Sequence, residues 1–169
     1  MNIYLLVLRL VHIFAGIFWG GSALVMSLFV APTVESTGAS GQQFVQHIMN
    51  KLRLHIFMTI AGVTTVLGGA LLYWHDSNGF TSAWMKSGAG IGFTTGAIFG
   101  LIAFVSGGIT GGGNAQLGQI GAQIQGKPTD EQLAQIQAIQ KRIKIASPFH
   151  IYGMILAMIF MAIARYFVF

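Results

Sequence analysis

Arg9 and His12 stand three residues apart inside an otherwise apolar run, Tyr4 to about Pro32, and Gly16 and Gly20 follow His12 at four-residue steps. Residues three and four apart share a helical face. One side of this stretch therefore carries a cation, an imidazole and two bare patches of backbone. The run is long enough to cross ~30 Å of hydrocarbon with some tilt. Ionisable groups at that depth are costly and normally turn toward a bundle interior or a cavity. By helical rise His12 lies about 12 Å in from the start of the run. Two uses of this face compete: a flat ligand held by His12 and lying on Gly16 and Gly20, or a neighbouring helix packed on the glycines with His12 hydrogen-bonded to it.

Other imidazoles and cations fall near the ends of apolar runs. Lys51, Arg53 and His55 open the second run, Lys86 heads the third, and His150 and Arg165 lie near the two ends of the fourth. In an up-and-down ring of four spans, one and three face each other diagonally, as do two and four. Arg9, His12, Lys86 and Arg165 then form one polar level, and Lys51, Arg53, His55 and His150 another. Imidazole with cations suits b-type haem, because iron takes a neutral imidazole whose other nitrogen needs a partner. The propionates want Lys or Arg at the membrane surface. His12 is accordingly expected to ligate an outer haem, with Arg9 or Arg165 on its propionates and Lys86 nearby. His55 and His150 are expected to hold a second haem, with Lys51 one turn outward from His55. His47 and His75 read as interfacial residues. Trp19, in mid-span, walls a pocket or packs, and needs a partner for its indole N–H.

His150, Met154, Met158, Met161 and Arg165 recur along one face of the fourth run. Thioethers with an imidazole suit Cu(I). Methionine is also an adaptable core filler, and copper stands as the alternative to haem.

Composition limits the remaining possibilities. Of 169 residues, 54% are hydrophobic and 8% charged, with no cysteine, and the mean hydropathy is +0.69. Such a chain reads as an integral membrane protein rather than a soluble domain. No disulfide framework or thiolate metal site is possible. The N-terminus lacks the cationic n-region of a signal peptide and is expected to be retained. The net charge of +5 is small and falls at loops and helix ends, which indicates lipid contact and orientation rather than nucleic-acid binding. The four acids, Glu35, Asp76, Asp130 and Glu131, lie outside the apolar runs, so hydrolysis by paired carboxylates is not indicated.

The fold these patterns predict is an all-α integral membrane bundle, one domain with spans at about 4–31, 52–74, 87–110 and 148–168. Phe44, Ile48 and Leu52 repeat at four-residue steps, predicting a helix that runs straight into span two. Asn78-Gly79 marks a turn. Leu117, Ile120 and Ile124 form one stripe; Leu133, Ile136, Ile139 and Ile143 form another. They predict a helical hairpin over about 115–147, packed on the Gln43–Asn50 helix. Thr129 and Gln132 read as a capping box, and Ser147-Pro148 as a helix restart. Gly88, Gly92, Gly96 and Gly100 make a stripe on span three that admits close approach. Its partner is another span, a second copy of the chain, a larger membrane complex or a macrocycle.

Lys and Arg concentrate in the first and third connections, which places both termini outside and the hairpin in the cytoplasm. Tyr4, Trp74, Trp84 and Tyr166 would mark the outer interface.

Spans one to three resemble a superfamily of small four-helix bacterial membrane proteins that includes CopD-type copper-resistance domains and HemJ-type haem-biosynthesis proteins. The shared outline is Leu8 to His12, then Phe18-Trp19-Gly20-Gly21, a closing Pro32, a short helix from Phe44 to Leu54, and Trp84-Met85-Lys86. The resemblance covers about two thirds of the chain. It implies an inner (plasma) membrane location, and it points to His12 and Lys86 for haem b. The chain departs from the HemJ-type pattern at Ser27-Leu28-Phe29-Val30-Ala31-Pro32, so haem binding is implied more strongly than protoporphyrinogen oxidation. The expected role is membrane electron transfer or haem handling, with a haem-dependent oxidoreductase as the enzymatic form. Copper handling or a structural role in a larger complex are the alternatives.

Overall fold

The computed structural model describes residues 2–124 and 126–169. Among them there are helices and connecting turns and no strand. The helices are α1 (Ile3–Val25), α2 (Ala31–Thr37), α3 (Ala39–Gln46), α4 (Leu54–Asp76), α5 (Gly88–Gln123) and α6 (Asp130–Ile163). Four helical stretches are long and apolar enough to cross a membrane: Ile3–Thr37, Leu54–Asp76, Gly88–Gln123 and Asp130–Tyr166. At 1.5 Å per residue, α4 is about 35 Å long, close to the thickness of a hydrocarbon core, whereas α5 exceeds 50 Å. The surplus on stretches one, three and four projects from the same end of the bundle.

Pro32 does not close the first stretch. A π-helical turn, Met26–Val30, precedes it, and α2 continues with Pro32 in its first turn. A wider turn accommodates a residue that cannot donate to the preceding carbonyls. Nor does the helix of Gln43–Asn50 run straight into the second stretch. A second π turn, His47–Lys51, ends in an elbow where Arg53 adopts a left-handed conformation, φ 56°. Ser147-Pro148 is no restart either, since Pro148 lies inside the continuous α6. A proline costs one backbone hydrogen bond, and the packed flank of α5 holds the helix through it.

The turn at Asn78-Gly79 is present, with φ 48° and 68°, and Phe80 follows at φ 67°. The capping box is complete: the Thr129 hydroxyl accepts from Gln132 N at 3.2 Å, and Gln132 Oε1 accepts from Thr129 N at 2.9 Å.

Helix pairing is uneven. α5 and α6 pack along their whole length, as do α1 and α4, while the contacts of α4 with α5 and of α1 with α6 are sparse. The molecule is a ring of four built from two tight pairs. The glycine stripe of α5 is covered by the chain's own fourth helix. A methyl at Gly92 would stand 2.9 Å from Ala164 Cα, and one at Gly96 would stand 3.2 Å from Phe160 Cβ. The same zipper continues into the hairpin, where Gly113 faces Ile139 and Ile143. The hairpin packs arm against arm and not broadly on α3, because its two isoleucine-rich stripes satisfy each other.

The buried core is thin: Trp19, Ala23, Ala61, Ala103 and Met154, with Met58 and Phe104 against it. Large apolar side chains such as Phe14, Phe57, Leu67 and Phe149 lie on the outside. A shell of this kind is solvated well by hydrocarbon and poorly by water.

Candidate functional site

His12 and His150 are held by the same device in the two helix pairs. The Nδ1 of His12 is 2.8 Å from the carbonyl oxygen of Thr65 on α4. The ring lies over Gly68 and Gly69, and a methyl on Gly69 would stand 2.9 Å from its Cε1. The Nδ1 of His150 is 2.8 Å from the carbonyl oxygen of Ala103 on α5. Its ring lies over Gly107, where a methyl would stand 2.6 Å from Cε1. In each case the glycine is four residues beyond the accepting carbonyl. That carbonyl already receives the glycine's own N–H in the helix, and the missing side chain lets an imidazole reach the second lone pair. His150 is buried and His12 half-buried.

A carbonyl oxygen only accepts, so Nδ1 carries the proton in both rings. In a neutral imidazole this leaves the Nε2 lone pair free. His55 shares the arrangement on a smaller scale: its Nδ1 is 2.6 Å from Met49 O, closing the elbow before α4, with the residue exposed. His75 differs, since its Nδ1 faces the carboxylate of Asp76 at 3.3 Å. Among the described residues, His12, His55 and His150 are the histidines whose rings are fixed by a main-chain carbonyl.

The other expected site residues are distributed differently. Arg9 Nη2 pairs with Asp76 Oδ2 at 3.5 Å, joining the N-terminal part of α1 to the C-terminal end of α4. Lys86, on a short 3₁₀ turn (Ala83–Lys86) ahead of α5, is exposed, as are Arg165 and Lys51. Gly16 and Gly20 are not open patches. A methyl on Gly16 would meet the Thr65 side chain at 3.5 Å, and one on Gly20 would meet the sulfurs of Met158 and Met154 at 3.1 and 3.3 Å. The glycines of the α1 face are packed against neighbouring helices, and His12 is hydrogen-bonded to α4.

The methionine stripe of α6 is divided. Met154 and Met158 turn to Gly20 of α1, while Met161 turns to Gly96 of α5. Each fills space above a glycine. Among the described residues no three of His, Asp and Glu come together as a metal-holding group. Trp19 packs edge-on against Phe104 with centroids 5.8 Å apart, and a methyl on Gly62 would stand 3.3 Å from its indole.

Sequence reasoning missed the seats Thr65, Gly68-Gly69, Ala103 and Gly107. The visible signal was the pair of Gly-Gly steps, Gly68-Gly69 and Gly107-Gly108, inside apolar runs where glycine otherwise only weakens a helix.

For b-type haem the donor chemistry of these rings fits. A ligating imidazole usually gives its second N–H to a carbonyl or carboxylate, as His12, His55 and His150 do. The glycine face of α1 does not fit as a seat for the macrocycle, because Thr65 and two methionines fill it. No family model, no curated protein and no solved structure matches this chain.

Proposed function

We propose that this protein is a small multi-pass membrane protein that binds b-type haem through its carbonyl-anchored histidines and acts in electron transfer or haem handling. The observation that carries this reading is the fixed Nδ1-to-carbonyl bond of His12, His55 and His150, which leaves Nε2 as the available ligand atom. Bound haem would supply one-electron redox chemistry at its iron. The chain's own part is to fix the ring orientation so that Nε2 is presented, and to surround the site with apolar side chains. His12 serves the level near the termini; His150 and His55 serve the level near the hairpin. Arg9, Lys86 and Arg165 on one side and Lys51 on the other supply surface cations for the propionates, Arg9 only by exchanging Asp76 for a propionate. Both termini lie outside and the hairpin in the cytoplasm of a bacterial-type inner membrane.

The test is an absorption spectrum of detergent-purified protein supplied with haem, oxidised and reduced. A Soret band that disappears in the His12→Ala/His55→Ala/His150→Ala variant is the expected result. A colourless wild type, or a band unchanged in that variant, overturns it.

A second reading is favoured by the filled glycine faces: His12 and His150 act only as clamps between helices, in a structural subunit of a larger complex. Colourless protein that loses thermal stability in the single His→Ala variants supports this reading. Copper handling is less favoured, because Met154 and Met158 turn away from Met161, but metal analysis of the same sample decides it.

A further inference from the structure

We propose that the outer flank of the α5–α6 pair binds one anionic, hydroxyl-bearing phospholipid, with an acyl chain beside α5 and its phosphate on Arg142. Two open grooves run along this pair, and Arg142 is the one residue that lines both. The first, about 750 Å³, is walled by Leu101, Ile102, Val105, Ile109 and Phe149. The stretch from Leu101 to Ile109 covers about 12 Å of helix axis and is almost wholly apolar. The second, about 430 Å³, lies between the hairpin arms and presents the amides of Gln116, Gln119, Gln123 and Gln135.

A ligand for the joined grooves must be apolar at one end and polar at the other, with negative charge between. Arg142 is exposed at the junction, and Lys141 and Lys144 are exposed on the same turns of α6 outside both grooves. Among the described residues the ion pairs involve only Asp76 as the acid. The nearest acids on α6, Asp130 and Glu131, lie about three turns away. The junction is therefore an unneutralised cationic edge at the end of an apolar channel. Guanidinium matches a phosphodiester in a fork geometry that lysine lacks. Carboxamides beyond it both donate and accept, which suits headgroup hydroxyls. A choline or ethanolamine headgroup would add a cation beside Arg142. A second copy of this face would do the same, so charge complementarity favours a glycerol-type anionic lipid. Basic pockets on the cytoplasmic side of membrane helices recognise such headgroups.

This inference goes beyond the haem reading. It rests only on the part of the proposal that places the four helices in a membrane, with the Ile109–Arg142 level at its surface. The experiment incubates full-length protein, purified in mild detergent, with equimolar phosphatidylglycerol and phosphatidylcholine of identical acyl chains. Retained lipid is counted by native mass spectrometry. Wild type is expected to retain phosphatidylglycerol over phosphatidylcholine by roughly five- to tenfold. Arg142→Gln should bring that ratio close to one with helicity unchanged, and Val105→Trp, which fills the channel, should lower retention of both lipids. Equal retention by the wild type, or a preference that survives Arg142→Gln, overturns the site and leaves the haem reading intact. Recovery of the chain from the aqueous fraction without detergent overturns both.

Discussion

The ring of His150 occupies the space where a side chain on Gly107 would stand. Histidine and glycine are one unit here, and His12 with Gly69 is its counterpart in the other helix pair. Gly107→Ala should lower stability by about 1–3 kcal/mol, the usual cost of overpacking. In a His150→Ala background most of that cost should vanish, a coupling that a double-mutant cycle reads directly. Gly108→Ala is the control: nothing stands within 4 Å of a methyl there, so it should be neutral or raise stability by up to about 1 kcal/mol. Thermal unfolding in detergent measures all four variants. Equal effects at Gly107 and Gly108 would show that the ring is not seated on Gly107.

Arg53 turns the chain between the π turn and α4 with φ 56° and no side-chain cap. A residue with a Cβ pays about 1–2 kcal/mol in that conformation, and glycine does not. Arg53→Gly should therefore hold or raise the unfolding midpoint. Arg53→Val, branched at Cβ, should lower it. A midpoint that falls more for glycine than for valine would mean that the guanidinium itself holds the elbow.

The Arg9–Asp76 pair joins α1 to α4 at 3.5 Å with side chains 59% and 30% exposed. An ion pair this open contributes about 0–1 kcal/mol. Arg9→Gln and Asp76→Asn should each change stability by less than about 1 kcal/mol, and less still in high salt. A larger loss for Asp76→Asn would assign the carboxylate a second partner, with His75 Nδ1 at 3.3 Å the candidate.

Pro148 lies inside α6, where it leaves one carbonyl without its helical donor. Replacing it by alanine should stabilise the chain by up to about 3 kcal/mol. Unchanged or lower stability in Pro148→Ala would show that α6 is shaped at this point by the proline and that α5 is fitted to the shape.

The four long helices, the hairpin and the cap at Thr129 were legible because each depends on nearby residues. Hydropathy sets span length, a stripe sets a face, and Thr129 with Gln132 closes over three positions. Pro32 and Ser147-Pro148 misled for the opposite reason. Their local tendency is to end a helix, yet Pro32 is absorbed by the Met26–Val30 turn and Pro148 by the flank of α5. The elbow at Arg53 was invisible because arginine carries no signal for positive φ. At the site, His12, His55 and His150, expected from the sequence as haem ligands, have their rings anchored on main-chain carbonyls. What they anchor to was not readable, since the match of His12 to Thr65 and Gly69 depends on the rotation and axial offset of two helices. The glycines of α1 and α5 announced close approach without saying by whom.

The seam between the two tight pairs is made of unlike material. On one side Tyr73 Oη meets Thr94 Oγ1 at 2.6 Å. Elsewhere Trp19 leans edge-on against Phe104, and the thioethers of Met154 and Met158 lie over Gly20. Flexible sulfur-bearing chains across a bare backbone offer little resistance to sliding. The halves are thus two stiff staves on a greased joint, held together near the termini by the Tyr73–Thr94 hydroxyl pair, the Tyr73–Trp84 ring contact and the turn that joins α4 to α5. Rocking of one against the other would therefore open the bundle at the hairpin end.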